Sequence, residues 1–110
     1  MNNLQLGKMY LVKEFFWFLF PTKKLAAVCG ECPDGPTWAM TLYGPEVARR
    51  GAKVLSEHYN CNVSFVEPKT CFVLLEMDET EHCYKLLDSN GNIGWTRCWS
   101  FASYFELVKE

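Results

Sequence analysis

A chain of 110 residues is long enough for one independently folding domain, and its formal net charge of −2 argues against nucleic acid as a partner. Its 49% of hydrophobic and 22% of charged residues exclude global disorder. Aromatic residues make up 15% of the chain, which is more rings than so small a core can hide, so some are expected at an exposed groove or an interface.

The N-terminus lacks the basic stretch and clean apolar run of a signal peptide. The apolar stretch 15–20 is far shorter than the roughly 20 residues that a membrane span needs. We therefore predict a protein that is not secreted through a signal peptide, has no membrane span, and is cytoplasmic or part of a virion. Its six cysteines are then expected to be reduced thiols or metal ligands rather than disulfides.

The first strand is predicted at residues 7–14, and the run 15–20 continues it without alternating apolar and polar residues. A run that is apolar on both sides is typical of a strand buried on both faces, or of one that meets another protein with half of its side chains. The second interpretation makes Phe16, Trp17 and Phe18 candidate contact residues.

Residues 21–43 are rich in proline and glycine and predict a loop with a short helical turn at 23–28 and an extended piece at 37–42. The best helix candidate is 44–60, where Pro45 suits the first turn. Its apolar side chains recur at helical spacing and form one stripe, made by Val47, Ala48, Ala52, Leu55 and Tyr59. Gly51 in the helix interior predicts close packing at that point.

The second half of the chain is predicted to be rich in β-structure. A strand begins at 63–66, and a turn follows around Pro68. Residues 71–77 alternate between two faces, with Cys71, Val73, Leu75 and Met77 on one and Phe72, Leu74 and Glu76 on the other. Residues 84–96 predict a β-hairpin with a type I′ turn at Asn90-Gly91, because both residue types tolerate positive φ. A helical turn at 99–105 and a closing strand at 106–108 complete the chain.

These β-segments resemble the bacterial SH3 family. The motifs that carry the resemblance are Tyr84-Lys85-Leu86, Gly91 and Gly94-Trp95-Thr96, with residues 66–75 similar to the turn and strand upstream of them. The match covers about residues 63–98, with a weaker start at 7–14. It implies a single domain over 1–110, mainly β, with an SH3-like small barrel and a helix-containing insertion at about 21–60 that makes it α+β.

Members of this family bind peptidoglycan, peptides or protein partners, so the resemblance implies a non-enzymatic protein-interaction module rather than an enzyme. Its partner would be another protein or a second copy of the chain. The long insertion resembles those of small phage and cyanobacterial proteins, which implies a phage or viral structural or accessory protein.

In SH3-like barrels the hairpin and closing turn adjoin an aromatic groove, so the candidate contact residues here are Tyr84, Trp95, Trp99 and Tyr104. Core and rim packing is the alternative for these rings.

One pattern of cysteine and histidine residues is typical of a metal site. The spacing C-x2-C followed later by H-x2-C is that of a structural zinc site, with candidate ligands Cys29, Cys32, His58 and Cys61. Two alternatives remain: small apolar core thiols, and a reversible disulfide between Cys29 and Cys32. Apart from such a zinc we expect no cofactor.

The clustered cations are predicted to form a solvated face, made by Lys23, Lys24, Arg49, Arg50 and Lys53.

Overall fold

The computed structural model describes residues 4–31, 38–39 and 44–109. Three helices lie in this part of the chain, at α1 (Lys23–Glu31), α2 (Gly44–Tyr59) and α3 (Phe101–Tyr104). The strands are β1 (Met9–Val12), β2 (Phe16–Leu19), β3 (Trp38–Ala39), β4 (Ser64–Val66), β5 (Cys71–Asp78), β6 (Cys83–Asp88), β7 (Ile93–Arg97) and β8 (Phe105–Leu107). The protein is mainly β, as predicted.

The larger sheet has five strands in the order β7-β6-β5-β1-β8, and each neighbouring pair is antiparallel. Strands β5, β6 and β7 form a meander, β1 pairs with β5, and the chain returns after the meander to place β8 beside β1. The register of β5 against β6 shifts between Leu74 and Glu76, which marks a β-bulge. The short helix α3 leads directly into β8, which confirms the predicted helical turn and closing strand.

This sheet is not closed into a barrel, so the predicted closure is wrong. The outer edge of β7 receives Phe20 instead of β8: the Phe20 amide donates to the Trp95 carbonyl at 2.8 Å, and the Trp95 amide donates to the Phe20 carbonyl at 2.7 Å. The end of the apolar run 15–20 therefore occupies the edge that a closing strand would need.

The smaller sheet has the order β3-β2-β4, so β2 lies in its centre. The chain turns sharply between β1 and β2 at Phe15, whose φ is 69°, so the run 15–20 does not continue the first strand as predicted. Trp17 and Leu19 pack into a core shared with the larger sheet, whereas Phe16, Phe18 and Phe20 pack into a second core beneath the helices. Burial of β2 on both faces is thus confirmed.

Helix α2 closes the second core. It spans Gly44–Tyr59, close to the predicted 44–60, and buries Ala48 and Ala52. An added methyl group at Gly51 would lie 3.0 Å from Cζ of Phe18, so the predicted close packing at this glycine is confirmed. Without a side chain here, α2 approaches the small sheet closely.

Helix α1 is longer than the turn predicted at 23–28. It runs from Lys23 to Glu31, and the Thr22 hydroxyl accepts a hydrogen bond from the Leu25 amide at 3.2 Å at its start. The extended piece predicted at 37–42 is seen as β3, Trp38–Ala39, and its other residues lie outside the described part of the chain.

The hairpin between β6 and β7 is present, but its turn is not type I′. Gly91 has a φ of 88°, whereas Asn90 does not have the positive φ that a type I′ turn requires. The Asp88 carboxylate accepts hydrogen bonds from the amides of Asn90 at 3.0 Å and Asn92 at 2.7 Å. A buried aspartate therefore organises a longer loop, with one left-handed residue instead of two.

Candidate functional site

Four of the seven predicted contact residues lie in the cores. The exposed fractions are 4% for Phe16, 2% for Trp17, 5% for Phe18 and 4% for Tyr84. The first three belong to β2, which the larger sheet covers on one side and the helices on the other. These side chains offer no surface to a partner in this structure, because the insertion folds back over the apolar run.

Two further predicted contact residues lie at the rims of the cores and are half-buried. Trp95 packs against the second core, and the Lys23 ammonium lies 5.9 Å from the centroid of its ring. Tyr104 packs against the first core, with its ring centroid 5.3 Å from that of Trp17. Both rings contribute to packing and show only part of their surface.

Trp99 is the predicted contact residue that is mostly exposed, at 64%. Its ring centroid lies 4.4 Å from that of His82, and the Arg97 guanidinium carbon lies 4.5 Å from it. Arg97 is buried and donates from Nε to the Glu81 carbonyl at 3.0 Å and from a terminal nitrogen to the Ala27 carbonyl at 2.9 Å. Arg97, one of the two neighbours of the Trp99 ring, is thus fixed by hydrogen bonds to the chain.

An ion pair secures the turn that carries His82. The Lys23 ammonium lies 2.9 Å from the Asp78 carboxylate, which also accepts hydrogen bonds from the amides of Thr80 and Glu81. The hydrogen bond with Lys23 lowers the pKa of Asp78, and the same contact raises the pKa of Lys23. The start of α1 is therefore tied to the connection between β5 and β6.

A second exposed apolar surface lies on the outer face of the larger sheet. Four apolar residues pair directly across neighbouring strands, one each on β1, β5, β6 and β7. We call them the aliphatic row: Met9, Val73, Leu87 and Ile93. Met9 is 46% exposed, Leu87 36% and Ile93 51%, while Val73 is half-buried. Helix α1 covers the part of this face that carries Arg97, whose side chain donates to the Ala27 carbonyl. Helix α1 does not cover the aliphatic row.

The outward residues of an antiparallel sheet with one solvated face are normally polar, and a contiguous apolar patch marks a contact surface. Sequence reasoning missed the aliphatic row because its members lie on four separate strands. A signal was present in β5, since Val73 and Leu75 are apolar on the face opposite to the core residues Phe72 and Leu74.

The candidate metal ligands are only partly brought together. Cys29 is fully buried in the second core, Cys61 packs against that core half-buried, and His58 is exposed with its ring 4.7 Å from that of Tyr59. Cys32 lies outside the described residues. Within residues 4–31, 38–39 and 44–109, no three side chains of the metal-binding types converge.

Burial also makes several thiols poor nucleophiles. It raises the pKa of Cys61 and Cys83, and it raises the pKa of Cys98 to about 12. A thiol with a raised pKa carries little thiolate at neutral pH, and the thiolate is both the nucleophile and the metal ligand. Cys83 and Cys98, which are buried, therefore act as small apolar core residues.

Cys29→Ser separates a packing role for this cysteine from a zinc site. The variant is expected to lose about 1 to 3 kcal/mol of unfolding free energy, because it places a hydroxyl in an apolar core. His58→Ala, at an exposed position, is expected to change it by less than about 0.5 kcal/mol. Denaturant unfolding with and without a chelator measures both. Equal losses in the two variants, together with destabilisation by the chelator, would instead indicate a bound metal.

The protein is mainly β, with a five-stranded antiparallel sheet, a smaller three-stranded sheet that shares one core with it, and two longer helices that pack on the second core. Compared with models of known protein families, with curated proteins and with solved structures, the chain matches none of them. Within the described residues, none of the helices has both the length and the apolar character required to cross a bilayer.

Proposed function

We propose that this protein is a non-enzymatic protein-interaction module that binds a protein partner or a second copy of itself through the aliphatic row. The observation that carries the proposal is the position of Met9, Leu87 and Ile93, all more than a third exposed, in one line across the sheet. Single exposed apolar residues are ordinary. Covering a contiguous line of them is favourable, because it removes apolar surface from water.

Trp99 is a second contact residue in this proposal. Tryptophan and arginine are enriched at protein interfaces, and an anchor that is already fixed loses less conformational entropy on binding. The hydrogen bonds of Arg97 to two carbonyls hold one neighbour of the Trp99 ring in place before any partner arrives. Because Trp95 and Tyr104 are half-buried, Trp99 is the contact residue that we retain from the predicted surface at 95–104.

An SH3-like ancestry is part of the same proposal. It is supported by the five-strand order β7-β6-β5-β1-β8, in which a meander follows the insertion, and by the helical turn of α3 directly before the last strand. The setting we propose, a structural or accessory protein of a phage or virus, depends on the resemblance of residues 63–98 and of the insertion alone.

The aliphatic row is tested by the double variant Leu87→Ser with Ile93→Thr. The wild-type protein is expected to bind a dye that reports exposed apolar surface and to self-associate as its concentration rises. The variant should lose most of both signals, because it replaces the two aliphatic side chains on β6 and β7. Dye fluorescence and light scattering after size-exclusion chromatography measure them.

The matched control is Val54→Ser on α2, where an equally apolar side chain is 64% exposed but lies away from the row. Its dye binding and self-association should stay at the wild-type level. A wild-type protein that is monomeric and binds no dye would refute an exposed apolar interface. Affinity capture from the native source, with the double variant as the comparison bait, then identifies partners that depend on the row.

A further inference from the structure

A cleft of about 480 Å³ opens between α2, the segment around β4 and the loop that joins β6 to β7. It is separate from the aliphatic row, and none of its lining residues belongs to that row. Its volume is within the range of about 300 to 1,000 Å³ that small-molecule sites occupy. The residues that give it chemical character are Arg49, Lys53, Phe65, Glu67, Asn90 and Asn92.

The charge of this cleft is opposite to that of the whole protein. Arg49 and Lys53, four residues apart on α2, supply two positive charges against the single carboxylate of Glu67, whereas the chain carries a net charge of −2. Glu46 lies 3.8 Å from Arg49, but both side chains are largely exposed, so this ion pair is weak and leaves the guanidinium available. The Asp88 carboxylate behind the cleft is engaged by the amides of Asn90 and Asn92, and the lining side chains carry a net charge of +1, so the cleft favours an anion.

One aromatic ring lines the cleft among the polar groups. Phe65 is half-buried, and its ring centroid lies 6.0 Å from that of the buried Phe16, which holds it against the second core. The two rings meet edge to face at an interplanar angle of 66°, and the part of the Phe65 ring that stays exposed offers an aromatic contact on which a planar ligand can stack. This selects an anion that also has an aromatic or heteroaromatic part.

Hydrogen-bonding groups of both kinds line the same space. The Asn92 amide nitrogen donates to the Asp88 carboxylate at 2.9 Å, so this side chain is already oriented by the loop. Asn90 adds a second side-chain amide, and Glu67 adds an acceptor suited to N–H or hydroxyl groups of a ligand. Few but well-placed polar groups of this sort fix the orientation of a bound molecule.

We infer that this cleft binds a small anionic ligand with a planar heteroaromatic ring, of the nucleoside monophosphate class. Arg49 and Lys53 hold the phosphate, the ring stacks on Phe65, and Glu67 with the loop amides contacts the polar groups of the base or sugar. A single phosphate needs only this local pair of cations, so the acidic net charge that disfavours nucleic-acid polymers does not oppose it. The inference is independent of the proposed protein-interaction function.

The experiment titrates the wild-type protein with AMP, GMP, CMP and UMP in turn, using calorimetry and amide chemical shifts. At least one nucleotide is expected to bind with Kd below about 1 mM. The matching nucleoside and inorganic phosphate, tested separately, should each bind at least about tenfold more weakly, because each lacks one of the two recognised parts. Shifted amides should lie in α2, around β4 and in the 88–92 loop.

Charge variants locate the site. Lys53→Ala and Arg49→Ala are each expected to weaken the nucleotide about tenfold, and both residues are exposed, so the variants should fold. Arg50→Ala is the matched control, since Arg50 is an exposed cation of the same helix that does not line the cleft. It should leave Kd unchanged. Phe65→Leu keeps an apolar side chain but removes the ring, and is expected to weaken the nucleotide more than inorganic phosphate.

Three results would overturn the inference. The first is no nucleotide binding below about 1 mM. The second is inorganic phosphate binding as tightly as any nucleotide, which would leave only an anion site without ring recognition. The third is nucleotide binding that Arg50→Ala weakens as much as Lys53→Ala, which would indicate general electrostatic attraction to α2. Failure here leaves the aliphatic row untouched, because its variants lie on the sheet.

Discussion

Replacing Trp17 with alanine is expected to lower the free energy of unfolding by about 3 to 5 kcal/mol, the range for removing a large aromatic side chain from a core. Trp17 is 2% exposed and lies at the centre of a ring cluster, with centroid distances of 5.3 Å to Tyr104 and 5.0 Å to Phe105. Its indole nitrogen donates to the Glu14 carbonyl at 2.9 Å, and that acceptor would lose its partner. Denaturant unfolding followed by circular dichroism measures the loss.

The matched control is Trp99→Ala, the same substitution at a ring that is 64% exposed. It should cost less than about 1 kcal/mol, because little apolar surface returns to water. Comparable losses in the two variants would contradict the placement of residues 15–20 in the interior. That result would restore the interpretation of Phe16, Trp17 and Phe18 as a surface run.

Gly94→Ala is expected to destabilise the protein by about 2 to 5 kcal/mol, combining overpacking with the loss of hydrogen bonds between the sheets. A methyl group at Gly94 would lie 2.8 Å from Cβ of Leu19 and 2.8 Å from the carbonyl oxygen of Phe20. The obstructing atoms belong to or adjoin the backbone, so they cannot rotate away. The pair of hydrogen bonds between Phe20 and Trp95 must lengthen or break.

Gly51→Ala provides the control, because its added methyl group meets only the tip of the Phe18 ring, at 3.0 Å. A displacement of the ring tip by a few tenths of an ångström relieves the contact, and alanine is about 1 kcal/mol better than glycine inside a helix. The net change is expected to stay within about 1 kcal/mol. If Gly94→Ala were equally mild, the close approach of β2 to β7 would be refuted.

Elements with a strong local signal were predicted correctly from the sequence. The stripe of Ala48 and Ala52 in α2 and the glycine at 51 depend on contacts along one face of one helix, which the helical period reveals. The β6–β7 hairpin was likewise signalled by residues close in the chain. Its turn type was wrong because the buried carboxylate of Asp88 organises the loop, and the burial of that carboxylate depends on the rest of the fold.

Barrel closure failed as a prediction because it depends on residues far apart in the sequence. The edge of β7 could accept β8 or the end of β2, and no local pattern distinguishes the two. Phe20 pairs with Trp95 on that edge, and the neighbouring Gly94 has no side chain to keep the backbones apart. The same limit applies to α1, whose length depends on packing against β6 and β7.

The predicted contact surface was drawn from aromatic residues, and only Trp99 of that set is mostly exposed. Aromatic content indicates that large apolar areas exist, but it does not say which are covered. The aliphatic row could not be assembled from the sequence, because Met9 and Ile93 are brought into one line only by the registers of three strand pairs. Surfaces built across strands are therefore harder to predict than stripes along a helix.

Strand β2 serves two cores at once, with Trp17 and Leu19 on one side and Phe16 and Phe18 on the other. Removing the helices would expose Phe16 and Phe18 on one face of the same strand whose other face fills the interior of the larger sheet. Loss of the helical layer is therefore expected to destabilise the larger sheet as well, so that the two unfold together.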